Sequence, residues 1–205
     1  EASDIKYAEQ LGYRIKLLGI AKRREQGIEL RVHPTLIPAK RLIANVEGAM
    51  NAVVVKGDAV GTTLYYGKGA GAEPTASAVI ADLVDVTRLA TADPEHRVPH
   101  LAFQPNAMSN LPILPMSEIE TGNYLRLRVE DKAGVLADVT RILADQGISI
   151  DAMLQREPEE GEGETDIIIL THVCSESAAL AAIAKVEALA AVKGQVKRIR
   201  LEELQ

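Results

Sequence analysis

The chain is poor in cysteine and in aromatic residues. Its single cysteine, Cys174, allows no internal disulfide, which is typical of a protein from a reducing compartment. Tryptophan is absent and only 3% of the 205 residues are aromatic, so the core must be built mostly from Val, Ile, Leu and Ala. We interpret Cys174 as a small buried hydrophobic residue on a strand.

The chain also lacks long apolar runs and an excess of positive charge. No run approaches the ~20 apolar residues that a membrane span needs, and no signal peptide precedes Glu1. We therefore expect a cytoplasmic protein with no membrane partner. The net charge of −6 argues against nucleic acid as a main partner. Because the chain begins without Met, in a segment that reads as helical, we expect a fragment of a longer protein.

The first part of the chain predicts a partial mixed or antiparallel sheet domain with helices. One strand alternates three apolar with three polar residues, which is typical of a half-buried strand, and the prolines of HPTLIP should end it. Its apolar residues are Ile28, Leu30 and Val32, and its polar residues are Glu29, Arg31 and His33. The predicted elements are a helix over 4–11, strands over 13–23 and 28–34, a hairpin of 51–57 and 60–67, and a helix over 74–90.

The second part is separated from the first by a segment rich in proline. Residues 92–122 hold five of the nine prolines and no periodicity, and predict an interdomain linker. The order after it is β-α-β-β-α-β with an acidic turn at 157–164, which predicts a ferredoxin-like fold and an α+β class overall. The predicted elements are strands over 124–131, 148–157, 165–174 and 194–204, and helices over 134–147 and 175–192. We expect domains at 1–91 and 123–205.

The run IIIL at 167–170 indicates that both faces of this second sheet are covered. The two helices cover one face. A partner chain or the first domain is the simplest candidate for the other.

The turn DKAGVL at 131–136 joins the first strand of this domain to its first helix. A structural interpretation makes Asp131 a helix cap and Gly134 a tight turn. A functional interpretation uses the free N–H groups of the helix end to receive a small carboxylate, which glycine allows to approach closely.

Residues 123–204 resemble an ACT domain, on the segment YLRLRVEDKAGVLADVTRILADQGISID. The resemblance implies that an amino acid or similar effector binds at an interface between two copies. Carried over residue by residue, the effector site comprises Asp131, Ala133, Gly134, Val135 and Leu136, with Ile148 and Asp151 contributed across the interface.

The segment GKGAGAEPTASAV at 67–79 places three glycines ahead of a predicted helix. Its spacing is not G-x-G-x-x-G and no second βαβ unit follows, so it is not a dinucleotide fold by itself. It also lacks the Gly-Lys-Ser/Thr of a phosphate-binding P-loop. A purely structural strand-to-helix turn remains the alternative on spacing alone.

Four blocks of the first part resemble the carboxy-terminal part of bacterial homoserine dehydrogenase. They are DIKYAEQLGYRIKLLGIAK, RVHPTLIP, NAVVVKGD and YYGKGAGAEPTASAVIADL, with PAKRLIANVEG as a local departure. The resemblance implies NAD(P)-dependent interconversion of aspartate semialdehyde and homoserine, on the branch toward threonine and methionine, in a dimer or tetramer. It implies that Gly69, Ala70 and Gly71 line the nicotinamide end of the cofactor, and that the effector of the ACT domain is threonine.

The same resemblance implies that the catalytic Lys and Asp lie upstream of Glu1. We therefore assign no catalytic residue, expect NAD(P) to bind this fragment poorly, and expect the isolated chain to be inactive. Lys16, Lys68, His33 and His172 read as structural or surface residues, and no spacing fits a metal site. The helix face around Val79, Leu83 and Val86 should lie open or be covered by a neighbour. The alternatives are a non-catalytic amino-acid-binding module and an ACT domain that only joins subunits.

Overall fold

The computed structural model describes residues 1–93, 103–156 and 163–204. The predicted acidic turn lies mostly outside these residues, as does the middle of the predicted linker. The helices are α1 (Ala2–Gln10), α2 (Ala72–Thr91), α3 (Val135–Asp145) and α4 (Glu176–Glu187). The strands are β1 (Tyr13–Arg23), β2 (Ile28–Pro38), β3 (Met50–Gly57), β4 (Gly61–Lys68), β5 (Glu120–Glu130), β6 (Ile150–Gln155), β7 (Glu164–Ser175) and β8 (Val192–Leu201).

The chain divides into two compact units. One comprises Glu1–Ala44 with Leu111–Gln205, and the other comprises Asn45–Asn110. The first part of the chain is therefore divided between the two units. The domain boundaries expected from the sequence, at 91 and 123, were drawn from sequence patterns and not from contacts in the structure. They stay a prediction.

The first unit is built on a six-stranded sheet in the order β1-β2-β8-β5-β7-β6. Strands β8, β5, β7 and β6, with α3 and α4, form the predicted ferredoxin-like βαββαβ domain, so the α+β fold class is confirmed. Strands β1 and β2 form an antiparallel hairpin that extends this sheet, because β2 pairs in parallel with β8. The sequence pattern did not predict this extension.

The two faces of the sheet explain the apolar run in β7. Ile167 and Ile169 pack in the core that includes residues of α3 and α4, while Ile168 and Leu170 pack in a second core with Tyr7 of α1. Successive side chains of a strand point to opposite faces, so an uninterrupted apolar run is needed when both faces are buried. The first part of the same chain therefore covers the second face.

Strand β2 differs from the prediction in which of its sides is buried. Glu29 and Arg31 are only 1% and 5% exposed, whereas Val32 is 74% exposed and Leu30 is 46% exposed. Alternation indicates which residues share a face, but packing against the neighbouring strands decides which face is covered. The buried charges on the polar side of β2 are paired with each other and with neighbouring residues.

The prediction that the HPTLIP prolines end β2 is wrong, because the strand continues to Pro38. The carbonyl of Leu36 accepts a hydrogen bond from Glu202 N (2.9 Å) on the β8 side. Since alternate residues direct their backbone groups to the same side, Pro34 and Pro38 also face that side. Strand β8 is paired with β2 only at Thr35 and Leu36, so neither proline interrupts a ladder.

The second unit contains the β3–β4 hairpin and α2. Strands β3 and β4 pair from Met50↔Lys68 to Gly57↔Gly61, as the sequence predicts. Helix α2 is 20 residues long and none of its residues is buried. Pro74 lies in its first turn, where a missing N–H costs nothing.

The described end of the predicted linker is ordered against β2. Ile28 N donates to Pro112 O (2.8 Å), and Leu114 N donates to Ile28 O (2.9 Å). Ile119 is 2% exposed, and β5 begins at Glu120, four residues before the predicted start. This stretch is therefore part of the first unit.

Candidate functional site

The glycine-rich turn between β4 and α2 is an exposed backbone surface. Gly69, Ala70 and Gly71 are all exposed. A Cβ added at Gly69 would lie 2.7 Å from Asn51 Nδ2, and Gly71 has a φ of +120°, a conformation that other residues rarely adopt. The turn therefore depends on glycine for its shape, and it presents backbone groups rather than side chains.

The first turn of α2 begins at this surface. Gly71 occupies the N-cap position of α2 and provides no side-chain hydrogen bond. The hydroxyl of Thr75 donates to Gly69 O (3.5 Å), which ties the helix back to the turn. An uncapped helix start beside an open glycine turn offers N–H donors to a polar ligand group.

One side of α2 is apolar and open. Val79, Leu83 and Val86 are each more than half exposed, as expected from the sequence. Val53 and Tyr65 of the hairpin in the same unit are also more than half exposed. The second unit thus exposes large apolar side chains around the glycine turn.

The DKAGVL turn forms the start of α3. Gly134 occupies the N-cap position with a left-handed φ of +96°, and no side chain caps this end of the helix. The interpretation of Asp131 as the helix cap is therefore wrong, since its exposed carboxylate lies three residues earlier and its N–H donates to Gly163 O (3.0 Å). Space is open where a Gly134 side chain would project.

The predicted effector residues fall into two groups. Asp131, Ala133, Gly134 and Asp151 are exposed, and Leu136 is half-buried. Val135 and Ile148 are 8% and 4% exposed and belong to the same core between sheet and helices. The chain by itself therefore offers the outer surface of the turn, with the side chains of Val135 and Ile148 already used in packing.

Charged residues surround this turn. The Glu130 carboxylate accepts from Lys132 Nζ (2.5 Å) and lies 2.6 Å from Lys193 Nζ, and these two ammonium groups lower the pKa of Glu130 to about 2. Arg128, Glu130, Lys132 and Glu164 line a shallow open depression. The cavity beside Leu127 holds about 10 Å³, room for one water at most, so it is too small for an amino-acid effector.

Asp151 of β6 lies beside a histidine of the neighbouring strand. His172 Nε2 is 3.9 Å from Asp151 Oδ1, and both side chains are about half exposed or more. The predicted cross-interface residue is therefore presented on the surface of the sheet, at its edge strand.

The structure contains a buried ion network on β2 that was not predicted from the sequence. Arg31 donates to Glu29 (2.6 Å) and to Glu202, and Lys22 Nζ donates to Glu202 Oε2 (2.6 Å). Two features of the sequence could have indicated this network: the alternating polar residues of β2 and the charged segment RIRLEE at 198–203. His33 belongs to the same face, with its Nε2 3.0 Å from Arg31 Nη1. Burial lowers the pKa of His33, and the Arg200 and Arg31 charges act in the same direction, against the hydrogen bond with Pro34 and the Glu202 charge.

A second network surrounds the N-terminus of α4. The Glu176 carboxylate accepts two hydrogen bonds from Arg198 (2.7 and 2.8 Å) and two from Arg200 (2.6 and 3.1 Å). Burial opposes its charge, but the hydrogen bonds from both arginines prevail and lower the pKa of Glu176 to about 2. Cys174 lies next to this network, is half-buried, and has its pKa raised by burial.

Within the described ranges, no group of three or more His, Cys, Asp or Glu side chains could hold a metal ion. The helices in the same part of the chain are all too short or too polar to cross a membrane.

The fold and the glycine-led turn define a protein with a ferredoxin-like βαββαβ domain joined to an α+β segment. Residues 123–191 match the ACT domain family, and residues 1–84 match the family described as homoserine dehydrogenase. The homoserine dehydrogenase of Pseudomonas aeruginosa is 59% identical over 203 residues, which cover 99% of this chain and 47% of that relative. The homoserine dehydrogenase of Neisseria gonorrhoeae is 53% identical over 204 residues, with 100% and 47% coverage.

A crystal structure of a homoserine dehydrogenase from Thiobacillus denitrificans matches with a TM-score of 0.89 and 70% identity, covering 99% of this chain and 46% of that one. The relatives that match over almost the whole chain are thus homoserine dehydrogenases, and the second part of the chain matches the ACT domain family. The chain spans about half the length of the curated relatives that it matches.

Proposed function

We propose that this chain is part of an NAD(P)-dependent homoserine dehydrogenase that interconverts aspartate semialdehyde and homoserine. The observation that carries the proposal is the 59% identity over 203 residues to a homoserine dehydrogenase. The exposed glycine turn and the open apolar face of α2 support it, since both are surfaces suited to a further part of an enzyme.

In this proposal Gly69, Ala70 and Gly71 approach the nicotinamide end of the cofactor. The fit rests on the turn itself, because its glycines leave a side-chain-free surface and its backbone N–H groups can donate to polar cofactor atoms. When bound, the nicotinamide supplies or accepts the hydride. The role of this chain is to bind and orient that ring, and we assign no catalytic side chain to it.

A segment exchange tests the proposed activity. Replacing the matching 203 residues of the P. aeruginosa homoserine dehydrogenase by this chain should preserve homoserine-dependent reduction of NAD(P). Gly69→Val in the exchanged enzyme should lower activity, because a side chain there meets Asn51 and covers the approach surface. A folded exchanged enzyme without activity would contradict the proposal.

We further propose that the ACT domain binds an amino-acid effector, threonine first, at the DKAGVL turn of one copy and at β6 of a second copy. Gly134 leaves open space at an uncapped helix start, where N–H groups and the helix dipole favour a carboxylate. Asp151 is exposed and can meet the effector amine across the interface. Ile148 would contribute its backbone carbonyl, because its side chain is buried in its own core and its N–H donates to Leu143 O (2.9 Å).

Calorimetry distinguishes this proposal from its rival. Threonine should bind to the chain, while isoleucine, methionine and lysine serve as comparison ligands. No heat with any of the four would favour an ACT domain that only joins subunits. Binding of threonine by a chain that fails the segment exchange would favour the non-catalytic regulatory module.

We also propose a homo-oligomer, supported by an apolar stripe on β1 and β2 that consists of Leu17, Leu30 and Val32. These residues are 72%, 46% and 74% exposed, and the stripe continues the face that α1 covers at Leu36. Because exposed apolar sheet surface of this kind is typical of an interface, a second copy is the proposed occupant.

A further inference from the structure

We propose that the junction between β2 and the end of β8 makes the segment of α1, β1 and β2 and the ACT domain open as one cooperative unit, and that it carries the effector's influence to β1 and β2. The second statement rests on the effector binding proposed above.

The backbone contribution to this junction is small. Strands β2 and β8 share only the pairs Thr35↔Arg200 and Leu36↔Leu201, extended by the hydrogen bond from Glu202 N to Leu36 O. Strands β1 and β2, by contrast, pair over eleven positions. A ladder of two pairs cannot hold two substructures together by itself, so the side chains on its two faces must do so.

One face of the junction is an apolar core that both segments share. Tyr7 and Leu36 from the first segment pack with Tyr124 and Leu201 of the ACT domain, and all four are at most 8% exposed. The Tyr124 hydroxyl also donates to Asp4 Oδ1 (2.9 Å), so α1 is fixed to β5 by a buried hydrogen bond. Opening this core exposes apolar surface of both segments at once.

The other face is ionic and equally buried. The Glu202 carboxylate follows β8, is 5% exposed, and accepts from Arg31 of β2 and from Lys22 of β1. Its two cationic partners thus come from the other segment. Since a buried ion left without its partner is strongly destabilising, separation of β2 from β8 is opposed by this network.

The ionic face continues into the ACT domain. Arg200 lies two residues before Glu202, on the same face of β8, and binds Glu176 at the first turn of α4. Two residues that are two positions apart at the end of β8 therefore make the contacts to β2 and to α4. Contacts between neighbouring elements show energetic coupling only if changes at β2 and changes in the ACT domain shift the same opening equilibrium. That equilibrium can be measured.

Native-state hydrogen exchange followed by mass spectrometry measures it on the 205-residue chain. In the wild type, the slowest-exchanging amides in peptides from β1–β2 and from β5–β7 should have the same free energy of opening. That free energy should depend on denaturant concentration in the same way in both sets of peptides. In Glu202→Gln, β1–β2 should exchange at least ~10-fold faster than β5–β7. The matched control is Glu176→Gln, an equally buried carboxylate with two cationic partners that are both in the ACT domain, and it should accelerate the two sets alike.

Lys22→Met is a milder second variant, because Lys22 is about one third exposed and its loss leaves the Arg31 contact in place. In Lys22→Met, the β1–β2 peptides should again exchange faster than the β5–β7 peptides, by a smaller factor than in Glu202→Gln. This variant tests the cooperative unit if Glu202→Gln does not fold. Different slowest openings in the wild type, or matched openings in a folded Glu202→Gln or Lys22→Met chain, would overturn the cooperative unit.

Addition of L-threonine tests the transmission. In the wild type, protection should rise both at 131–136 and in β2, whereas Glu202→Gln should show the rise at 131–136 alone. A rise at 131–136 without β2 in the wild type would overturn the transmission and leave effector binding intact. If L-threonine changes protection in no peptide, the proposed effector is contradicted, and the transmission with it. The comparison without threonine still tests the cooperative unit.

Discussion

At the scale of single residues, Gly134 gives the sharpest test of the effector site. Replacing it by Leu should lower the affinity for threonine at least ~10-fold, because the new side chain fills the space in front of the uncapped start of α3. The left-handed backbone also makes the substitution cost roughly 1–2 kcal/mol of stability. Calorimetric titration of the folded variant measures the affinity.

The matched control for this variant lies in the turn between α1 and β1. Gly12 has a φ of +81° and equally open space at its Cβ position, so Gly12→Leu imposes a similar backbone cost away from the effector site. Its threonine affinity should stay within about twofold of the wild type. Equal losses in the two variants, or retained affinity in Gly134→Leu, would remove the turn from the site.

Glu176 should make the stability of the chain depend on pH in acid. Its pKa is lowered from 4.5 to about 2, because the hydrogen bonds from Arg200 and Arg198 outweigh the effect of burial. Its contribution is therefore fully present above pH 4.5 and is lost as the pH falls toward 2. The 2.5-unit difference corresponds to roughly 3 kcal/mol in the free energy of unfolding.

Urea unfolding between pH 5 and pH 2.5 measures this loss, with Glu176→Gln as the comparison. The variant should be less stable than the wild type at pH 5, and the difference should shrink as the pH falls. A constant difference across the range would show that Glu176 does not titrate as its contacts require.

The residue scale also shows what the sequence could indicate. The tight turn at Gly134 was predicted from the sequence pattern, and the positive φ of +96° at this glycine agrees with it. The buried sides of Glu29 and Arg31 were not identified, because Arg31, which pairs with Glu29, also pairs with Glu202, which is far away in the chain. Nothing local in β2 distinguishes a solvated charge from a paired buried one.

At the scale of elements, the apolar stripe on β1 and β2 should determine assembly. Val32→Lys places a charge on the exposed sheet face and should shift the chain toward the monomer, since a buried unpaired ammonium opposes association. Sedimentation equilibrium over a range of concentrations measures the association constant, which we expect to fall at least ~10-fold.

Val60→Lys is the control for this substitution. Val60 is also 74% exposed, but it lies in the turn of the β3–β4 hairpin and outside the stripe. It should leave the association constant unchanged. A wild-type chain that is monomeric at all concentrations, or equal effects of both lysines, would contradict the proposed interface.

The elements themselves were predicted well where a pattern is local. The helices and strands of the βαββαβ domain were all present, with ends shifted by a few residues, because their periodicities differ clearly. The early start of β5 and the continuation of β2 through its prolines were missed. Both depend on which neighbour each backbone group meets, and a strand pattern does not contain that information.

At the scale of the whole molecule, the sequence suggested two domains and a linker, whereas the sheet joins β2 to β8. Strand pairing over such a sequence distance is set by the packing of α1 on β5, β7 and β8, and neither partner shows it alone. The two family matches, at 1–84 and 123–191, follow sequence segments and carry no information about that contact either. The resemblance to known families thus predicted the two family matches, but it did not predict that β2 pairs with β8.

The last prediction concerns activity of the whole chain. We expect the 205 residues by themselves to form no NAD(P)H from NAD(P) and homoserine, because we propose only an approach to the nicotinamide ring at Gly69, Ala70 and Gly71 and assign no catalytic side chain to the chain. A steady-state absorbance assay measures this, with threonine calorimetry on the same preparation to show that the ACT domain is functional. The exchanged P. aeruginosa enzyme is the active control. Homoserine-dependent turnover by the isolated chain would contradict the assignment and would require a catalytic group among its own residues.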